Sequence, residues 1–389
     1  MSEQMKFSTV NVAGMLDPEK RAGIFNHLLN GNHDIIALQE THCKALEVPE
    51  WEKEWPGKSI WNPKTEHGAG VAIIFNPKLA VEIKNIEMDF NGRVVKALLC
   101  IDNRDFQIIN IYGPNPQTQD ENNFFFDELN TYIDPEFPVI LCGDFNMVET
   151  LKDRRGGNPR ELHMYGKKEL KKTRNASDLI DVWRTKHPNK KQFSWHSRYA
   201  NISSRLDRIY IPSHWISNVT SSYIDPFVWS DHDMCTMNIY LQKKVQRGKG
   251  IWKMNLTLLD DQKFQTHVRK FWREWSRVRS DYADAALWWD IGKTFIKRIA
   301  IDISTSKQQK HRNERTLLVR ELQEEREKNP RNQENIVRIT EEIKQIDIGK
   351  TNKIFISAHK ETIELGEKPT KYFFNQLKGK QARHAMSTL

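Results

Sequence analysis

Cysteine is scarce in this sequence. Cys43, Cys100, Cys142 and Cys235 are the only four in 389 residues, and no two form a Cys-x-x-Cys pair. That excludes a zinc ribbon and a disulfide scaffold and fits a reducing compartment. Long apolar runs are missing too. No uninterrupted stretch approaches the roughly 20 residues of a membrane-spanning helix, and Met1-Ser2-Glu3-Gln4-Met5-Lys6 offers no signal-peptide core. The expectation is a soluble, intracellular protein with no membrane contact and no identifiable targeting signal. Internal repeats and low-complexity segments are also absent. Basic charge, by contrast, is in excess, but unevenly. The net charge is +9, yet residues 241–389 hold 32 Lys+Arg against 19 Asp+Glu, a balance of +13 that leaves −4 for residues 1–240. A half suited to cations is joined to a half suited to polyanions, although a +13 segment can equally be a solvated helical surface.

The length predicts two domains, or one large domain with an extension, and 38% hydrophobic residues suffice for a core. Short runs rich in Val, Ile and Phe, bounded by Gly, Pro, Asn or Asp, predict strands at Lys6–Val12, Asp34–Leu38, Gly70–Phe75, Val94–Ile101, Phe106–Ile111, Val139–Cys142, Leu206–Ile211 and Met234–Leu241. Helices are predicted at Pro18–Asn30, with Asp17 as N-cap, at Asn122–Ile133 and at Asp178–Lys186. Many strands with few helices between them indicate an α/β (α+β) arrangement of two packed, mainly antiparallel sheets flanked by helices. After Leu241 the pattern changes. Residues 242–250 are polar and basic and read as a linker, and residues 251–389 as a basic helical segment. Helices are expected at Phe264–Arg279, Leu287–Ile303, Thr316–Lys328 and Gln333–Ile348. Ile336, Ile339, Ile343 and Ile346 form one apolar stripe, and Asn329-Pro330 breaks the run to give an antiparallel hairpin with Leu318 and Leu322.

Several strands begin or end in polar residues that rarely sit there for packing: Asn11, Gln39-Glu40, Asn110 and Tyr112, Asp144 and Asn146, Asp207, and Ser230-Asp231-His232. In antiparallel sheets, strand starts and strand ends meet at one edge. Carboxylates, amides and one histidine gathered there make a hydrolytic site. Singly, each has an ordinary reading as a cap, a turn residue or a hydrogen-bonded core group.

The order of these residues carries a resemblance. Val10-Asn11-Val12, Leu38-Gln39-Glu40-Thr41, Ile111-Tyr112-Gly113-Pro114, Gly143-Asp144-Phe145-Asn146, Arg205-Leu206-Asp207-Arg208 and Trp229-Ser230-Asp231-His232 resemble the endonuclease/exonuclease/phosphatase superfamily over residues 5–241. The resemblance implies a four-layer, DNase I-like sandwich. It also implies roles: Glu40 as the main ligand of Mg²⁺, with Mn²⁺ a possible substitute; Asp144 to orient or deprotonate the attacking water; Asn146, Asn11 and Tyr112 around the phosphate; His232 held by Asp207; and Asp231 assisting the metal or the water. Ser194 and Ser230 are expected at the phosphate, or else satisfied locally. The repair members usually carry an aspartate where this chain has Ala13, so one carboxylate is missing from the metal environment.

The Pro-x-Trp-Cys-Asp-Arg signature of the inositol-phosphate branch does not match Ser203-Ser204-Arg205-Leu206-Asp207-Arg208. Gln39-Glu40-Thr41-His42 fits the endonuclease domain of LINE-type non-LTR retrotransposons better. Trp252-Lys253-Met254-Asn255-Leu256 and Gly366-Glu367-Lys368-Pro369-Thr370-Lys371-Tyr372-Phe373-Phe374 are similar to segments that follow this endonuclease and precede the reverse transcriptase in such elements. No Tyr/Phe-x-Asp-Asp motif is present, so the expectation is the N-terminal part of a retrotransposon polyprotein. The implied function is nicking of one DNA strand to release a 3′-OH, in the nucleus if the target is chromosomal. Alternatives are an apurinic repair endonuclease, a phosphoesterase of lipids or small molecules, and an inactive nucleic-acid-binding remnant. Trp195, Arg198 and Tyr199 are candidates to probe a DNA groove, or form an ordinary hairpin. Arg154, Arg155 and Arg174 are candidates for phosphates, and the basic tail for DNA or the element's RNA. No obligate protein partner is evident. Trp272, Trp275, Trp288 and Trp289 read as helix core.

Overall fold

The computed structural model describes residues 4–63, 69–115, 119–157, 165–198, 200–241, 254, 258–328 and 331–348. Two six-stranded mixed sheets stack face to face with helices outside them, the expected four-layer sandwich. One sheet contains β1 (Met5–Asn11), β2 (Ile35–Gln39), β3 (Ser59–Asn62), β4 (Val71–Phe75), β14 (Val219–Asp225) and β15 (Met234–Ile239), in the order β14-β15-β1-β2-β4-β3. The other contains β5 (Glu82–Met88), β6 (Val94–Ile101), β7 (Arg104–Tyr112), β8 (Val139–Asp144), β10 (Leu179–Asp181) and β13 (Asp207–Pro212), in the order β10-β13-β8-β7-β6-β5. Only β1–β2 and β7–β8 are parallel pairs among the described strands. A small sheet joins β9 (Arg154–Arg155), β11 (Trp195–His196) and β12 (Ser203–Ser204).

Alternation along the strands divides the cores. Phe7, Ile35, Ala37 and Ile73 face Ala97, Ile108, Ile140 and Ile209 between the sheets. Ile109, Ile111, Leu141 and Tyr210, one residue out of phase, pack outward against Phe126 of α3 (Gln119–Glu128) and Leu170 of α4 (Lys167–Ala176). Outside the first sheet, Phe25 of α1 (Pro18–Asn30) meets Trp55, and Trp51 of α2 (Val48–Glu54) meets Trp61 of β3. Asp17 caps α1 as expected, accepting from the Glu19 and Lys20 amides, with Pro18 at the first position.

Two expectations are corrected. Asp178–Lys186 is not one helix. Leu179–Asp181 pairs with β13, and only a short α5 (Val182–Lys186) follows, capped by Asp181. Leu287–Ile303 and Thr316–Lys328 are one helix, α7 (Ala285–Glu327), because residues 304–315, though polar, contain neither glycine nor proline to stop it.

The chain divides into two compact units, Met1–Arg247 with Val319–Lys344 and Gly248–Leu318 with Gln345–Leu389. In the second, α6 (Gln262–Arg277) and the first part of α7 share an aromatic cluster in which Trp275 stacks on Trp288 and Trp272 contacts Trp288 and Trp289. In the first, the end of α7 and residues 333–344 of a helix over 333–348 (α8) lie side by side through buried Leu322, Ile339 and Ile343 and an Arg338–Glu321 ion pair. The expected linker at 242–250, Asn329-Pro330, the 366–374 segment and, apart from Met254, the 252–256 segment lie outside the described residues. No described helix is long and apolar enough to cross a membrane.

Candidate active site

Strand direction and register bring the polar strand ends together. β1, β2, β7 and β8 finish at one edge of the sandwich, where the antiparallel β13 and β15 begin. Across one sheet Tyr112, Asp144 and Asp207 are register partners; across the other, Asn11 is opposite Gln39. Beneath them Asn110 ties the sheets together. Gln39 Nε2 donates to its Oδ1 at 2.6 Å, and its Nδ2 donates to the Leu38 and Ala72 carbonyls at 2.9 Å. Just before Asp144, Gly143 has φ +135°, and a Cβ there would lie 2.0 Å from the Ile111 carbonyl oxygen. Only glycine lets β8 run so close to β7 and deliver Asp144 to the edge.

The edge opens into a cavity of about 750 Å³ lined by Glu40, Asn146, Asp231 and His232, with Ala13 and Arg154 among its walls. Ala13, Glu40 and Asn146 all have positive φ, near +50°. Such strain in non-glycine residues persists where surrounding structure over-determines it, commonly at working sites. Asn11 Nδ2 donates to Glu40 Oε1 at 3.1 Å and Asp144 Oδ2 at 3.0 Å, while its own Oδ1 accepts from the Ala13 amide at 2.9 Å. One amide therefore fixes two carboxylates. Asp144 Oδ1 accepts from the Asn146 amide, and Asn146 Nδ2 donates to the Gly113 carbonyl.

His232 lies between carboxylates. Its Nδ1 is 2.8 Å from Asp207 Oδ2, and its Nε2 is 3.8 Å from Asp144 Oδ2. Burial disfavours its charged form, but Asp207 and Asp144 outweigh burial and raise its pKa to about 10. Burial first, and then Asp207, push Asp144 up to about 6, with His232 and the Asn11 bond opposing. At neutral pH the triad is an imidazolium between carboxylates. The Tyr112 hydroxyl is held protonated by burial and by the Glu40 and Asp144 charges.

Asp144, Asp207 and His232 bring possible ligand atoms within 4.8 Å of one another. They suit a metal poorly, because the imidazole is already bonded to Asp207 and charged. Glu40 and Asp231 fit a hard cation better. Both carboxylates line the open cavity, and Asn11 orients one of them. Where repair members have an aspartate, Ala13 leaves only backbone, and Lys20 Nζ donates to the Val12 and Ala13 carbonyls at 2.8 Å.

Among the DNA-contact candidates, Arg154, Trp195 and Arg198 line the cavity, and Trp195 Nε1 donates to Asp231 Oδ2 at 3.3 Å. Four others lie elsewhere. Ser194 is fully buried, and its hydroxyl accepts from the Leu206 and Asp207 amides, which fixes the start of β13 instead of meeting phosphate. Ser230 Oγ accepts from the His232 amide and faces an adjoining cavity. Arg155 directs its guanidinium to the Arg326 and Glu327 carbonyls. Arg174 pairs with Glu149 against the Tyr210 ring. Tyr199 lies outside the described residues. Sequence reasoning missed His196 and Asp233, a 3.0 Å pair behind the site, and the buried Arg205, held by Asp153 and Asp181 at 2.7 Å each. Position was the one available signal: Asp233 directly follows His232, and Arg205 stands two residues before Asp207.

The sequence profile of the Endonuclease/Exonuclease/phosphatase family matches residues 8–232, more than half of the chain. The chain belongs to this family. Among relatives, it is 29% identical over 307 residues to the Transposon TX1 uncharacterized 149 kDa protein of Xenopus laevis, covering 78% of this chain and 23% of that protein. It is 27% identical over 262 residues to Recombination repair protein 1 of Drosophila melanogaster, covering 61% of this chain and 37% of that protein. The chain thus spans well under half the length of either. The fold of an AP endonuclease from Archaeoglobus fulgidus superposes with a TM-score of 0.52 at 19% identity, covering 60% of this chain and 99% of that one. Membership in the Endonuclease/Exonuclease/phosphatase family accounts for the shared sandwich. The transposon relative's match extends over more of the chain than the family profile does.

Proposed function

We propose that this chain is a Mg²⁺-dependent DNA endonuclease that nicks one strand and leaves a 3′-OH, as in target-primed retrotransposition. The observation that carries the reading is the Asp207–His232–Asp144 chain on an open cavity beside Glu40. Water attacks the phosphorus, the P–O3′ bond breaks, and the products are a 5′-phosphate and a 3′-hydroxyl. Asp144, fixed by Asn11 and the Asn146 amide and ionised above about pH 6, takes the water's proton. His232, kept charged by Asp207, directs its Nε2 proton and positive charge to the phosphoryl oxygen. Glu40, with Asp231 on the same cavity, would hold Mg²⁺, which when bound stabilises charge on the phosphate and the leaving oxygen. The Tyr112 hydroxyl and Asn146 supply hydrogen bonds around the phosphate. Choice of DNA is supported by the transposon and repair relatives, and choice of retrotransposition by the longer match to the transposon protein.

A supercoiled plasmid tests this directly. With Mg²⁺ the wild type is expected to yield open circles whose nick a DNA polymerase extends without treatment. EDTA, Glu40→Ala and His232→Ala should each abolish the conversion. Equal nicking by wild type and His232→Ala would overturn the mechanism, and preferential cleavage at abasic sites would favour a repair enzyme.

A further inference from the structure

The tip of the tail hairpin, Val319–Lys344, is part of the same compact unit as the nuclease sandwich, and its contacts concentrate beside the candidate site. Asp233, buried and next to His232, accepts from the Arg326 guanidinium and from His196 Nε2. Arg155 donates to the Arg326 and Glu327 carbonyls, at the end of α7 where backbone acceptors lack helical partners. Arg331 donates to the Arg326 carbonyl at 3.0 Å and to Ser203 Oγ on the β11–β12 wall. Lys344 Nζ stands 5.9 Å over the Trp229 ring.

This docking gathers more positive charge than it neutralises. Arg326 pairs with Asp233, and the guanidiniums of Arg155 and Arg331 both donate to the Arg326 carbonyl. Burial, and then Arg155 and Arg326, lower the Arg331 pKa to about 10. On the other side, burial followed by Arg198 lowers Lys20 to about 8, with Lys344 adding to the effect against the attraction of Asp231. Between hairpin and sandwich lies a second cavity of about 300 Å³, lined by Arg198, Arg326, Arg331 and Lys344. Glu341 and Asp231 also line it, but the cations outnumber them. Ser197, Arg198 and Asp231 line both this cavity and the active-site cavity, so the two adjoin.

The geometry points to a phosphate-binding subsite at this junction: Arg198, Arg331 and Lys344 hold a backbone phosphate of the DNA strand flanking the bond that is cut. The inference rests on the DNA reading above and adds where the strand is gripped and by which part of the chain. Residues 1–240 carry a balance of −4, and neutralisation of phosphates is what drives non-specific affinity. The hairpin supplies the missing cations where the strand leaves the site.

The test uses the full chain with a fluorescently labelled duplex in EDTA, so that binding is read without cleavage, by anisotropy over a range of salt. Arg331→Ala with Lys344→Ala is expected to weaken binding about tenfold or more. The slope of log K against log salt should fall by about 0.9, for the one phosphate no longer neutralised. Arg331→Lys keeps the charge and should keep most of the slope. If the double variant proves unstable to heat, Lys344→Glu alone, at a half-buried surface position, is expected to act in the same direction. Wild-type affinity and slope in the folded double variant, or a loss seen with single-stranded RNA but not with duplex DNA, would overturn the subsite. Wild-type nicking separates the two ideas. If the wild type nicks plasmid while these variants bind normally, the subsite alone fails. If the wild type neither binds nor nicks DNA, both readings fail.

Discussion

Asp207→Asn removes one charge from the buried chain Asp207–His232–Asp144 while keeping the shape of the side chain and an oxygen that can accept. Asp207 Oδ2 lies 2.8 Å from His232 Nδ1, and both groups are almost wholly buried. At an effective dielectric constant of about 20, such a contact is worth on the order of 4 kcal/mol before burial is set against it. Asp207 is the largest influence opposing the burial that would otherwise neutralise His232. Without it, burial carries the imidazole down from about 10 toward or below its ordinary value, and the phosphoryl oxygen loses a cation. The expected loss of nicking rate is about 10²–10³-fold, the usual cost of removing one preorganised charge stabiliser. The pH profile gives a second reading. In the wild type, ionised Asp144 and charged His232 coexist between about pH 6 and about pH 10, so the rate should be level there and fall outside. In Asp207→Asn the basic limit should move down through neutrality while the acidic limit stays or shifts lower, since the Asp207 charge also raises Asp144. Single-turnover nicking of supercoiled plasmid across that range, with circular dichroism confirming the fold, is the assay. A variant within roughly threefold of wild type whose basic limit has not moved would refute the reasoning.

Three further outcomes follow from the same geometry. Asn11→Ala frees both Glu40 and Asp144, and titration calorimetry with Mg²⁺ together with rate measurements should find a loss of about 10–100-fold; an unchanged metal affinity and rate would show that the amide positions nothing. Gly143→Ala puts a Cβ against the Ile111 carbonyl at positive φ and should destabilise by about 3 kcal/mol in urea melts; a near-neutral result would mean that β7 yields. Arg205→Met takes one cation from two buried carboxylates, leaving Arg184 on Asp153, and its expected cost in urea melts at neutral pH is about 3 kcal/mol. Although burial opposes it, Arg205 and Arg208 hold the Asp153 carboxyl well below the usual carboxylate range. That stability is therefore present above about pH 4 and lost as pH falls through the folded value, so the gap between variant and wild type should close in acid. A gap independent of pH would contradict it.

The site was legible because its residues stand at strand ends, where the sequence shows both a run of Val, Ile or Phe and the polar residue that breaks it. Asn11, Glu40, Asp144 and His232 announce themselves in this way. Edge strands were not legible. β5 carries Glu82, Lys84, Asn85 and Glu87, with only Ile83 and Glu87 partly covered and Ile86 exposed, and its identity comes from pairing with β6. β14, with Thr220, Ser221 and Ser222, is likewise made a strand by β15. Asp178–Lys186 misled because its local pattern suits a helix, while pairing with β13 claims Leu179–Asp181. The link from Arg326 to Asp233 crosses 93 positions of chain, and no local pattern encodes which tail arginine will meet which carboxylate. Ser194 shows the reverse error: a hydroxyl in a motif-rich segment proved to hold backbone.

The position of β15 has a temporal consequence. β15 lies between β1 and β14, and pairs Met5 with Ile239 and Thr9 with Cys235. β1 therefore leaves the ribosome before its partner β15 and waits for it roughly 10–50 s at ordinary synthesis rates. His232 arrives with that strand. Until then β1 shows an unpaired edge, open to wrong partners, and the site lacks its imidazole. A nascent chain is open to wrong pairing, and its candidate site is incomplete, until the sheet has closed.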